Sequence, residues 1–146
     1  IRYHMSYDLM VFNPLVAPRD RDGFMAWYDR QTLWSENHDY ANTEVTTPDL
    51  HSWFLDMIVE FPSIDDPEYM EEDNPRLSEY NFGASIIYAA FAWSEAKNAR
   101  ATVFRLAEKH KVGFFDVSAE NGQVWLPDAN GEYRCIHGDC SKEEAA

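Results

Sequence analysis

The chain has 146 residues, 45% hydrophobic and 15% aromatic, which is enough for one domain with a proper core. Its 26 acidic against 12 basic residues give a formal net charge of −14. That balance argues against nucleic acid, whose phosphates need clustered Lys and Arg, and against anionic lipid. It favours a basic macromolecule, since a field of this sign speeds such an encounter.

Ile1–His4 read as a cloning remnant ahead of a natural start at Met5, and the opening "IRYHMSYDLMVF" lacks the pattern of a secretory signal. "YDLMVF", Tyr7–Phe12, is a short apolar run broken at Asn13-Pro14 and reads as a buried first strand. A helix capped near Asp20 is predicted through about Asn37, with Phe24, Trp27, Tyr28, Gln31 and Trp34 forming a stripe. The next helix has the clearest signal. Thr47 is placed as N-cap, Pro48 takes the first helical position and Asp49 suits the dipole. Leu50, Trp53, Phe54, Met57, Ile58 and Phe61 recur at helical spacing before Pro62 stops it.

After the acidic segment, "LSEYNFG" and "ASIIYAAFAW" read as two strands, the second apolar on both faces. That second run is half the roughly 20 residues a membrane helix needs. Ser94 is expected to cap a helix that buries Ala96, Ala99, Val103, Leu106 and Ala107, closed at Val112-Gly113. "GFFDV" is a strand, and Asn121-Gly122 signals a hairpin to a strand over Gln123–Leu126. Residues 128–146 read as a polar tail. The order predicts a single α+β domain over 5–127. Its expected form is a ferredoxin-like βαββαβ sandwich with an inserted helix and an extra C-terminal strand, an antiparallel sheet covered on one face by helices.

Catalytic signatures are missing from the chain. Its glycines are too scattered for a phosphate loop, and no G-x-S-x-G or zincin pattern occurs, so no catalytic residue and no cofactor are assigned. His51, Asp56 and Glu60 on the second helix are off the spacing for a shared metal and read as a solvated polar face. His38 and His110 read as helix-end residues. "CIHGDC" offers Cys135, His137, Asp139 and Cys140, but with no second cysteine pair the thiols are expected to be reduced, with a disulfide or a metal as alternatives. Reduced thiols and the lack of a disulfide framework fit the cytosol.

The segment Phe61–Tyr80 crowds acids around three prolines and a single basic residue, Arg76. A calcium loop would need a central glycine and a set ligand order, which Asp65, Asp66, Glu68, Glu71, Glu72 and Asp73 lack. Two readings stay open, a solvated loop and a partner surface. In the second, Ile64, Tyr69 and Met70 anchor among the acids and Glu79 extends the rim.

"MSYDLMVF", "TTPDLHSWFLDMIVEFPSID" and "AEKHKVGFFDVSAENGQVW" together resemble small bacterial proteins that include immunity proteins of polymorphic and contact-dependent toxin systems. The resemblance covers about Met5 to Pro127 and departs at Val117-Ser118, where that group often has Pro-Gln. It implies a non-enzymatic protein that binds and neutralises a cognate toxin, such as a basic nuclease. The competing expectations are a small enzyme using carboxylates or His51, and an adaptor pairing through a sheet edge.

Overall fold

The computed structural model describes residues 6–69 and 73–140. The protein is a mixed α+β domain built on one open six-stranded sheet, with all neighbours antiparallel and strand order β2-β3-β1-β4-β5-β6. The strands are β1 (Tyr7–Phe12), β2 (Glu79–Phe82), β3 (Ile86–Phe91), β4 (Gly113–Phe115), β5 (Val124–Pro127) and β6 (Tyr133–His137). Three α-helices accompany them, α1 (Arg21–Gln31), α2 (Pro48–Glu60) and α3 (Ala96–His110). Among the described residues no helix is long and apolar enough to cross a membrane.

Central strand β1 is buried at every position, which explains its lack of polar alternation. Leu9 and Val11 face one core with Trp53, Met57, Val103 and Phe114, under α2 and α3. Met10 and Phe12 face a second core with Phe24, Trp27, Ile86 and Phe115, under α1. Helices therefore cover both faces, not one as the sequence suggested. A strand apolar on both sides needs cover on both sides.

α2 forms as its signals predict: the Thr47 side chain accepts from the Leu50 amide, Pro48 opens the helix and Phe61 caps it before Pro62. α1 is capped by Asp20 as expected but ends at Gln31, well short of Asn37. The Thr32 hydroxyl and amide both turn back onto the Tyr28 carbonyl, and Trp34 takes a left-handed backbone with φ 54°. Ser94 does not cap α3; it lies in a 3-10 turn, Trp93–Glu95, and the cap position, Glu95, makes no side-chain cap bond. α3 closes instead on Lys111 in the left-handed region, with Gly113 already in β4.

Asn121-Gly122 does not form the two-residue turn of a tight hairpin. β4 and β5 are joined by residues 116–123, and Gly122 is required because an added Cβ would meet the Asp116 carbonyl oxygen at 2.0 Å. Part of the expected tail is folded: Tyr133–His137 pairs with β5 as the sixth strand.

Candidate functional site

The acidic segment leaves α2 and is tied at once to the edge strand. Ser63 bridges Ser78, the Ile64 amide donates to the Ser78 carbonyl, and the Ser78 amide donates to the Pro62 carbonyl. The other end of that edge is covered by Tyr40, whose carbonyl accepts from the Phe82 amide. Between the two covers lies a notch of about 250 Å3, walled by Phe54 and Ile58 of α2 and Phe82 of β2, with Asp65 and Asp66 on its rim. Apolar walls beneath a carboxylate rim suit an alkyl stem that carries a positive head.

Local bonds shape that rim. The Asp65 amide donates to the Ser63 hydroxyl, and the Asp66 carboxylate accepts from the Glu68 amide, opening a 3-10 turn over Pro67–Tyr69. Arg76, the one basic residue of the segment, turns away: its Nε donates to Glu95 at 2.9 Å and its guanidinium lies over the Phe61 ring. Among the described residues no basic side chain pairs with Asp65, Asp66, Glu68 or Asp73, so the negative field of the rim is unopposed locally.

The expected partner residues are only partly brought together. Asp65 and Asp66 share the notch; Glu68 and Asp73 are exposed on the same segment. Glu79 alternates with Tyr80 and Phe82, which face the α2 side, and so belongs to the opposite face of the sheet. Met70, Glu71 and Glu72 lie outside the described residues. Phe54, Ile58 and Phe82 were read only as helix and strand positions, because nothing local tells that they converge.

The polar face of α2 is not simply solvated. Asp56 accepts from Lys109 Nζ at 2.9 Å and pairs with His110 at 2.7 Å, and Glu60 pairs with Arg105, so these carboxylates lace α2 to α3. Lys109 first, then His110, holds the Asp56 carboxyl below its ordinary value. His51 donates to the Thr43 carbonyl, and neither it nor Asp56 or Glu60 lines the notch. His38 pairs with Glu36, whose other contact is the Ala84 amide; that carboxylate raises the imidazole above its ordinary range.

Cys135 and Cys140 form a disulfide, not the reduced thiols expected. The bond supplies no thiolate for a nucleophile or a metal, and it takes reduced thiols away from the grounds for a cytosolic setting. Among the described residues no group of three or more His, Cys, Asp or Glu is placed to hold a metal ion. A cavity of about 560 Å3 opens beside this loop, lined in part by Arg100, Asp116, Gln123 and Asp139. Buried Gln123 is its hub, accepting from Arg100 at 2.8 Å and from the Trp125 indole at 3.0 Å, and donating to the Asp139 carbonyl at 2.7 Å.

No protein-family model, curated protein or solved structure matches the chain. The functional reading therefore rests on the site alone.

Proposed function

We propose that the protein is a non-enzymatic binding protein that captures a basic protein partner at the acidic notch, and that the partner is a toxin it neutralises. The observation that carries the reading is the pairing of apolar walls, Phe54, Ile58 and Phe82, with the locally unopposed carboxylates of Asp65 and Asp66. An Arg or Lys of the partner would lay its stem on the walls and its head on the rim, and the net charge of −14 would steer the approach. The α2 carboxylates and His51 are engaged in contacts that tie elements together, which weakens the enzyme alternative. The covers over β2 likewise weaken the adaptor alternative at that edge. The strand order β2-β3-β1-β4 supports a ferredoxin-like core, with α2 and α3 as its helices, α1 as the insertion, and β5 and β6 added.

The test is growth rescue. The chain is co-expressed with the toxin domain encoded beside its gene, as wild type and as the Asp65→Lys/Asp66→Lys variant. Wild type is expected to restore growth and to bind in a salt-sensitive manner; the variant is expected to bind more weakly with a shallower salt dependence. Absence of a toxin gene at that position, or equal binding by both forms, overturns the reading.

A further inference from the structure

A third cavity, about 240 Å3, lies on the face of the sheet opposite the notch, beneath the end of α1. Its lining combines Asp8 of β1, Asn81 of β2 and Tyr88 of β3 with Tyr28, Thr32 and Trp34 from α1 and the turn after it. Asp8 is only 9% exposed, yet it stands in an otherwise apolar strand. Its backbone is fixed on both sides by Ser118, which accepts from the Asp8 amide at 2.8 Å and donates its own amide to the Asp8 carbonyl at 3.2 Å. Its carboxylate accepts from the Ser6 hydroxyl at 2.6 Å and from the Tyr88 hydroxyl at 2.5 Å. Both partners are neutral. Among the described residues no Lys, Arg or His pairs with Asp8. A largely buried carboxylate met only by neutral donors on the wall of a cavity is one that a positive group in that cavity would complete.

Two further features have the same sign. Trp34 is held at φ 54°, a conformation that a bulky residue adopts at a cost, and its ring stands edge-on to Tyr88 with centroids 5.8 Å apart and to Tyr40 at 5.0 Å. The strained backbone thus places an indole against the cavity, beside the Tyr28 and Tyr88 rings, and aromatic faces attract cations. Thr32, the C-cap of α1, brings the negative end of the helix dipole to the same opening. Burial first, then the Asp8 carboxylate, raises the Tyr88 phenol well above its ordinary value, so it remains a donor to Asp8.

We propose that this cavity is a binding site for an ammonium or guanidinium group, with Asp8 as its counter-ion, Asn81 as a further polar contact and the rings of Trp34, Tyr28 and Tyr88 as its walls. The group is either a small free amine or the head of a Lys or Arg from another protein. This site is distinct from the notch, because it lies across the sheet, and it stands or falls independently of the proposed function.

Butylammonium and butylguanidinium chloride, with butanol as the neutral control, are titrated into the full chain and followed by the Trp34 indole N–H signal in NMR. A saturable shift is expected with the cations and not with butanol. The Asp8→Asn variant should bind about tenfold more weakly or worse, the loss of one charge-assisted contact. Should that variant fold poorly, Trp34→Leu provides a second test, its binding read by titration calorimetry, with weakened binding expected at an intact Asp8. The Asp65→Asn/Asp66→Asn variant should bind like wild type, which separates the site from general attraction to an acidic protein. A blocked Gly-Lys-Gly peptide assigns the source: binding of the peptide tighter than that of butylammonium indicates a protein side chain, and weaker binding indicates a small free amine. Equal shifts with butanol, no saturable shift with either cation, or full binding by Asp8→Asn overturns the proposal.

Discussion

Replacing Gln123 by Met keeps the side chain's length and removes its polar atoms, so the hydrogen bonds can be weighed with little change in packing. Three contacts are lost, to Arg100, to the Trp125 indole and to the Asp139 carbonyl. A hydrogen bond from a charged donor is worth about 1.5–3 kcal/mol net and a neutral one about 0.5–1.5 kcal/mol. The open cavity beside Arg100 and Asp139 lets water replace part of two of these, and Arg100 keeps its pairing with Asp116 at 3.3 Å. The expected cost is therefore about 2–3 kcal/mol, below the sum of the three. Urea unfolding followed by tryptophan fluorescence reads it as a lower midpoint at unchanged slope. The Cys135–Cys140 bond pins the turn that carries Asp139, and closing so short a loop is worth roughly 2 kcal/mol in the chain-entropy account. Reduction should leave the core folded but loosen the Asp139 carbonyl. The cost of Gln123→Met in reduced protein should then fall by about 1 kcal/mol, the value of that one contact. A cost below about 0.5 kcal/mol in the oxidised protein would refute the hub. An identical cost in both redox forms would refute its link to the disulfide.

Gly113→Ala should destabilise by about 1–3 kcal/mol through overpacking. The added Cβ would meet the Phe12 ring at 2.2 Å, and that ring is fully buried against Phe24 and Trp27. Pairing it with Phe12→Leu should recover part of the loss in the same urea assay, and a neutral single variant would contradict the packing. For Asp56, whose folded pKa is depressed by Lys109 and His110, stability is fully present above the unfolded carboxyl value, about 4. It is lost as pH falls through the lower folded value. Thermal melts from pH 6 to pH 2.5 should show a shallower acid slope in Asp56→Asn than in wild type; parallel slopes would mean the pairs with α3 contribute nothing.

What could be read from the chain divides by the range over which each signal acts. α2 was legible because its cap, its first-position proline, its stripe and its stop lie within sixteen consecutive residues, Thr47 to Pro62, and agree with one another. α1 was overextended because Trp34 continues the aromatic spacing, while the bond that ends the helix comes from Thr32 turning back onto Tyr28. β6 was missed for a different reason. Its residues are half-exposed with no alternation, and pairing with β5, the disulfide and the contacts of Tyr133 with Phe104 and Trp125, all set by the tertiary fold, hold it in place.

The two cavities follow the same division. The charge of Asp65 and Asp66 is visible locally, but the walls that give it a use come from α2 and β2, joined only by the tertiary fold. The Asp8 site had one local sign: an acid inside a strand with no polar alternation. A strand buried on both faces has no solvent side on which to place a charge, so the carboxylate must be answered from within the fold. The answer found is two hydroxyls and a ring-walled space, and two neutral donors do not balance a negative charge. Asp8 is thus the residue at which the local pattern and the folded structure disagree most. Such a conflict is expected where a protein gives up stability for a binding site.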